Sequence, residues 1–279
     1  MSTLSSRLLV ISGLLYIGSC YADGMPSSKP GLMPSLQTLI DTTTHTAATQ
    51  QAIATQTPQT INLGPHTLKD LQVAGPINVR LTNNRRQSVV LKGSPATLNQ
   101  LTEQITRSRL SIRNDSSQPI TLTLGGGALN HLDIDNSMVR ATHYQTQQPI
   151  YITLHGKAHL MLSGMINLKE LNASDEANAH ILWVNSTHLN IQANGHSHLN
   201  LAGHVKETNI RLSNAANLQA TSLTVTNMLV QTQAHAIANV QAIDTLRAFA
   251  VNNSGIYYMN QPKHLTRNSQ DAANILALR

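Results

Sequence analysis

Leu189–Leu201 reads LNIQANGHSHLNL, and its pattern decides the fold. Apolar Leu189, Ile191 and Ala193 alternate with polar Asn190 and Gln192. Asn194, Gly195, His196 and Ser197 interrupt the run, and Leu199 and Leu201 resume it against His198 and Asn200. Alternation with a period of two marks a strand with one buried side. Asn and Gly accept the left-handed backbone of a tight corner. The same unit returns as LDIDNSM from Leu132, IRLSNAANLQA from Ile210, LVQTQAHAIANV from Leu229 and AFAVNNSGIYY from Ala248. The recurrence is about every 19 residues, and short strands at such a period predict a solenoid of stacked coils. A side chain in a solenoid meets only its own coil and the next. Function is then expected on a flat ladder surface rather than in a deep cleft.

Composition supports thin coils. The chain has 279 residues, with 3% aromatic and 11% charged side chains. It is too apolar and too strand-patterned to be disordered throughout, and medium-sized aliphatics suit a narrow interior. Net charge is +6, concentrated at the front. Residues 61–115 carry Lys69, Arg80, Arg85, Arg86, Lys92, Arg107, Arg109 and Arg113 against Asp70, Glu103 and Asp115. This cluster reads either as a solvated face or as attraction to an anionic surface such as lipid or lipopolysaccharide. Nucleic acid is not expected as a partner, because stacking aromatics are nearly absent there.

Residues 1–19 read as an export signal. Arg7 gives the positive start, and Leu8–Gly18 gives an apolar core too short to span a bilayer. Ile17-Gly18-Ser19-Cys20 resembles a bacterial lipobox, which makes Cys20 the expected lipidation site. Cys20-Tyr21-Ala22 also fits ordinary cleavage after Ala22. Cys20 is the chain's one cysteine, so it has no disulfide partner within it. Residues 20–60 are rich in Pro, Ser, Thr and Gln, as a flexible linker is. A tethered protein is expected at the outer membrane, held by its lipid anchor. A periplasmic or secreted form is the alternative.

Residues 61–130 form a less regular section. Leu71–Gly75, Ile77–Leu81 and Ser88–Lys92 alternate as strands. Ser94 and Pro95 suit a helix start, and Leu98, Leu101 and Ile105 follow at helical spacing. Leu110–Ile112 and Ile120–Leu124 return to strand. Gly125-Gly126-Gly127 lacks the Lys-Ser/Thr of a phosphate loop and reads as a turn. No cofactor motif is present.

The order of these features resembles the GIN-type head domain of autotransporter adhesins. The order is alternating strands, a short helix, Asn-punctuated coils and the closing run Ala248–Tyr258 (AFAVNNSGIYY). The resemblance covers roughly residues 61–262. It implies an all-β protein, a right-handed parallel β-helix with a short helix in its N-terminal section, in a bacterial cell envelope. It also implies an adhesive or scaffolding role with no catalytic residues. A true autotransporter also carries a C-terminal barrel of many alternating strands. That pattern does not occur here, so the likeness is to the head alone. The regular coils are expected over residues 131–262 and a polar tail over 263–279. Expected partners are a cell-surface glycan or an envelope protein, and self-association is open.

Several side chains stand out within the coils. Asn136, Asn214 and Asn252 each follow an inward apolar residue by two positions and read as a structural Asn ladder at turns. His159, His180 and His198 each precede the first apolar residue of a run. If stacked, they could hold a transition metal or form a polar surface ladder. Asp133 and Asp135 share a face by alternation and are the best carboxylate pair for a polysaccharide-active β-helix. Trp183 lies between Leu182 and Val184, so it faces away from them as a possible contact residue.

Overall fold

The computed structural model describes residues 57–62, 68–83, 88–106, 108–125, 128–146 and 148–278. These belong to one compact unit, Gln50–Arg279. The expected export signal, the expected lipidation site Cys20, and Gly126-Gly127 lie outside the described residues.

The architecture is a β-solenoid of about seven turns. The regular part begins with β8 (His131–Asp135), β9 (Met138–Ala141), β10 (Ile150–His155), β11 (His159–Ile166) and β12 (Leu168–Ala173). Four coil-long strands follow: β13 (Asn178–Ala193), β14 (His198–Leu212), β15 (Asn217–Gln233) and β16 (Ile237–Val251). The stack ends in β17 (Gly255–Met259), β18 (His264–Ser269) and β19 (Asn274–Ala277). All these neighbours pair in parallel. The expected polar tail over 263–279 is therefore corrected: β18 and β19 extend the stack by another coil. Leu265 and Ile275 continue the inward ladders of Leu246 and Ile256.

The burial rhythm of β13 explains the coil's cross-section. Ala179, Ile181, Val184, Ser186, Leu189, Ile191 and Ala193 are buried. The step of two becomes three at Leu182-Trp183 and at Thr187-His188, so the strand turns a corner at each. Three flat sides result: face 1 (178–182), face 2 (184–186) and face 3 (189–193). The interior is a set of aliphatic ladders. Under face 3 it runs Leu132, Ile152, Leu171, Ile191, Ile210, Val230 and Ala248. Each fully buried Leu or Ile contributes roughly 1.5–3 kcal/mol relative to exposure. A coil this thin has no space for many rings, which accounts for the scarcity of aromatics.

The return from face 3 to face 1 is a left-handed corner in every regular coil. It falls at Asn136 (φ 49°), Gly156 (61°), Asp175 (63°), Gly195 (70°), Asn214 (60°), Ala234 (53°) and Asn252 and Asn253 (55° and 56°). Asn136, Asn214 and Asn252 are thus corner residues, and Gly156, Asp175 and Gly195 fill the same column in the intervening coils. A second corner, between faces 1 and 2, uses Gly164 (φ 138°) and Gly203 (φ 139°).

The N-terminal section does not stack in chain order. β2 (Asp70–Ala74) and β3 (Ile77–Thr82) form one coil, and β6 (Arg109–Arg113) and β7 (Ile120–Gly125) another. β6 and β7 lie on the outer side of β2 and β3, whereas β8 and β9 lie on the inner side. The chain therefore steps outward before it winds inward. Antiparallel strands cover the outer edge: β4 (Ser88–Gly93) on β7, β1 (Thr57–Asn62) on β4, and β5 (Thr102–Ile105) on β6. This satisfies backbone groups that an open solenoid end would expose.

The helix starts where its sequence says and stops early. α1 (Pro95–Asn99) has Ser94 as N-cap, with the Thr97 N–H donating to Ser94 Oγ at 3.2 Å. The helical spacing through Leu101 and Ile105 is overridden, because Thr102–Ile105 pair instead with Leu110–Arg113. Ladder bonds to β6 outweigh a helical turn with no apolar surface to pack against, and Ile105 stays 45% exposed.

Candidate functional site

Face 3 carries a run of polar side-chain contacts between neighbouring coils. Its strands are β6, β2, β8, β10 and β12, then the C-terminal parts of β13–β16. Near the N-terminal end, Ser111 Oγ donates to Gln72 Oε1 (3.2 Å), and Gln72 Nε2 donates to Asp133 Oδ2 (3.1 Å). Asp70 meets His131 at 3.0 Å and Arg109 at 3.6 Å, and the His131 ring stacks on Tyr151 with centroids 5.0 Å apart.

Asp133 and Asp135 do share this face, as alternation requires. They edge a depression of about 300 Å³ with Arg113, His155 and Asp175. Asp133 is held by Gln72, and Asp135 accepts from Asn136 Nδ2 at 2.8 Å. The Gly156 N–H and the Ser174 hydroxyl donate to Asp175 and hold its carboxyl below the usual range, with His155 adding attraction. That environment favours a carboxylate, the reverse of what a general acid needs.

A groove of about 630 Å³ lies further along face 3. The outward column Asn172, Gln192, Arg211, Gln231 and Phe249 runs through it, one residue per coil. Arg211 Nε donates to Gln231 Oε1 at 3.1 Å. Asn172 Nδ2 donates to Glu170 Oε1 at 2.8 Å, while Asn172 Oδ1 is sheltered and accepts nothing among the described residues. Phe249, the chain's single phenylalanine, is half-buried at the far end. A second groove of about 550 Å³ follows the adjoining corner, with the His188–Glu207 pair (3.0 Å), Asn209 and Arg247. The expected flat surface is thus corrected to a grooved one. Side chains of unequal length at successive rungs leave hollows between them.

The three histidines do not form one ladder. His159 pairs with Asn178 and Asn178 with His198, so two rungs, about 10 Å, separate these imidazoles. His180 lies in the next outward column, between Met161 and Asn200. Among the described residues no group of three or more His, Cys, Asp or Glu is placed to hold a metal. Trp183 is 63% exposed, but simple alternation is not the reason: it sits on the face 1–face 2 bulge with φ 64°. The groove column was not picked out from the sequence. Its signal was available in the spacing of residues 172, 192, 211, 231 and 249, which follows the coil period.

Fold and site together define a capped parallel β-solenoid with a polar, grooved face. The sequence pattern of the putative auto-transporter adhesin head GIN domain matches residues 67–262, and the chain belongs to that family. A putative adhesin from Parabacteroides distasonis shares the fold at a TM-score of 0.70 and 15% identity, over 80% of this chain and 97% of that one. A putative adhesin from Parabacteroides merdae does so at 0.67 and 13%, over 81% and 97%. A putative lipid binding protein from Parabacteroides distasonis does so at 0.64 and 11%, over 81% and 98%. At these identities the likeness speaks for fold alone. No curated protein matches the chain.

Proposed function

We propose that this chain is a non-enzymatic adhesive module of a bacterial cell envelope, and that the face 3 groove takes a hydroxyl-rich glycan. The observation that carries the reading is the column Asn172, Gln192, Arg211, Gln231 and Phe249 within one groove. Side-chain amides both donate and accept, so they suit sugar hydroxyls. Phe249 offers an apolar edge, and the sheltered Asn172 Oδ1 offers an unused acceptor. Repetition along the stack suits a chain of sugars bound weakly at several points. The family's adhesin description agrees with such a role at a cell surface.

A panel of immobilised glycans probed with the full chain tests the groove. Phe249→Ala and Arg211→Gln are expected to weaken a bound glycan at least tenfold, about 1.4 kcal/mol, with the melting temperature kept. Unchanged binding by both variants, or no glycan bound at all, would sink this reading.

The address is part of the proposal. Residues 1–19 direct export, and lipidated Cys20 tethers the solenoid to the outer membrane through the residues that precede β1. Intact mass from a bacterial membrane fraction decides it. A di- or triacylated Cys20 is expected, and the modification should vanish when lipoprotein signal peptidase is inhibited. A mature chain beginning at Asp23 would overturn the tether and make the protein periplasmic or secreted.

A further inference from the structure

Face 1 carries cations without carboxylates. Among the described residues, Asp70, Asp133, Asp135 and Glu170 lie on face 3. Glu207 and Asp244 lie near the face 2–face 3 corner, Asp175, Glu176 and Asp271 in turns, and Glu103 and Asp115 in the N-terminal section. None takes an outward position on face 1. Arg80, Arg140 and Lys92 do, and all three are exposed.

Arg80 and Arg140 are direct register partners on β3 and β9. Alternation puts them on the same outward side, since their neighbours Val79, Leu81, Val139 and Ala141 are all buried. Parallel neighbours stand about 4.8 Å apart, and like charges directly opposite one another destabilise a sheet. Neither guanidinium makes an ion pair or side-chain hydrogen bond among the described residues, in contrast to Arg109, Arg113 and Lys263, which each meet a carboxylate. The rung therefore carries a repulsion that the described side chains leave uncompensated. An oxyanion seated across both forks would offset it, because guanidinium binds carboxylate or sulfate through paired N–H donors. Thr123 precedes the rung toward the capped end, and Met161, His180 and Asn200 follow it in the same outward column, while Thr121, Asn78, Met138, His159 and Asn178 form the neighbouring column. Apart from Met138 and Met161, these are hydrogen-bonding groups in two adjacent lines along the stack.

We propose that Arg80 and Arg140, with Lys92, form an anion site for an acidic polysaccharide laid along face 1 parallel to the stacking axis. Cations and hydrogen-bonding groups that follow the stacking axis fit a linear polyanion, and Met161 beside Arg140 offers an apolar contact for a sugar ring. The site is on a different face from the groove and stands or falls separately from it.

The full chain is titrated with polygalacturonate, heparin, neutral dextran and phosphatidylglycerol vesicles at low and physiological salt. The acidic polysaccharides are expected to bind, dextran not to, and affinity to fall as salt rises. Arg80→Gln and Arg140→Gln should each lower affinity about tenfold, the loss of a charge-assisted pair. Lys206→Gln, the same charge loss at the face 2–face 3 corner, should change it less than about twofold. Melting curves establish that each variant is folded. Equal loss in Lys206→Gln would reduce the effect to net charge and overturn the site. So would full binding by both arginine variants, or binding of the vesicles but not of the polysaccharides.

Discussion

Gly203→Ala is expected to destabilise the solenoid by roughly 3 kcal/mol or more. Two independent costs act together. Gly203 has φ 139°, a region that side chains rarely enter. A Cβ there would also stand 2.1 Å from the carbonyl oxygen of Val184 in the neighbouring coil. That oxygen belongs to a paired strand, so relief requires a register break rather than a rotamer change. Gly164 repeats the geometry at the same corner two coils earlier, 2.1 Å from the Tyr144 oxygen. Gly195→Ala is the internal comparison. Its φ is 70°, its Cβ would lie 2.7 Å from the Asp175 oxygen, and Ala234 already occupies the same column at φ 53°. A left-handed alanine costs about 1–2 kcal/mol, and the fold tolerates one there. Urea midpoints of the two variants separate the corners. If Gly203→Ala unfolds no earlier than Gly195→Ala, the close-packed corner is not the constraint described.

These corners also mark the limit of what could be read from the residues. The period, the alternation and the inward aliphatics were legible, because each is a local pattern imposed by the sheet. The Asn corners were legible in part. Asn136, Asn214 and Asn252 showed themselves, but Gly156, Asp175 and Gly195 serve the same column with other residue types that tolerate the same backbone. Coil length was the harder variable. Met138 pairs with His159, 21 residues on, whereas Thr224 pairs with Gln241, 17 residues on. His180 lies 21 residues after His159, while the rung-to-rung offset there is 19, so it falls two residues along and in a different column. The inverted stacking of the N-terminal coils had no local signal at all. Asp70 pairs with both Arg109 and His131, and nothing in any of the three segments states that order. The groove was missed for a related reason. Outward polar residues look alike on every face until the coils are in register.

The second large effect concerns how a stack of coils shares its stability. Ile191 is fully buried and lies between Leu171 and Ile210 in the face 3 ladder. Ile191→Ala should cost about 2–5 kcal/mol, the range for a large core side chain cut to alanine. Leu265→Ala at the terminal coil, where the side chain is 37% exposed, should cost much less. The distribution of the loss is more informative than its size. In a globular core the missing methyls are felt by elements from all over the chain. In a solenoid each coil touches only its neighbours, so stability is close to a sum of coil and interface terms. Hydrogen exchange of Ile191→Ala should therefore show lost protection concentrated in β12, β13 and β14. The N-terminal strands β2 and β3, under their antiparallel cap, should keep theirs. Gln192 and Arg211 lie in the weakened coils, so glycan binding should fall although neither residue is altered. Protection lost evenly from β2 to β19 would mean that the stack opens as one unit, and the coil-by-coil account of both stability and binding would have to be abandoned.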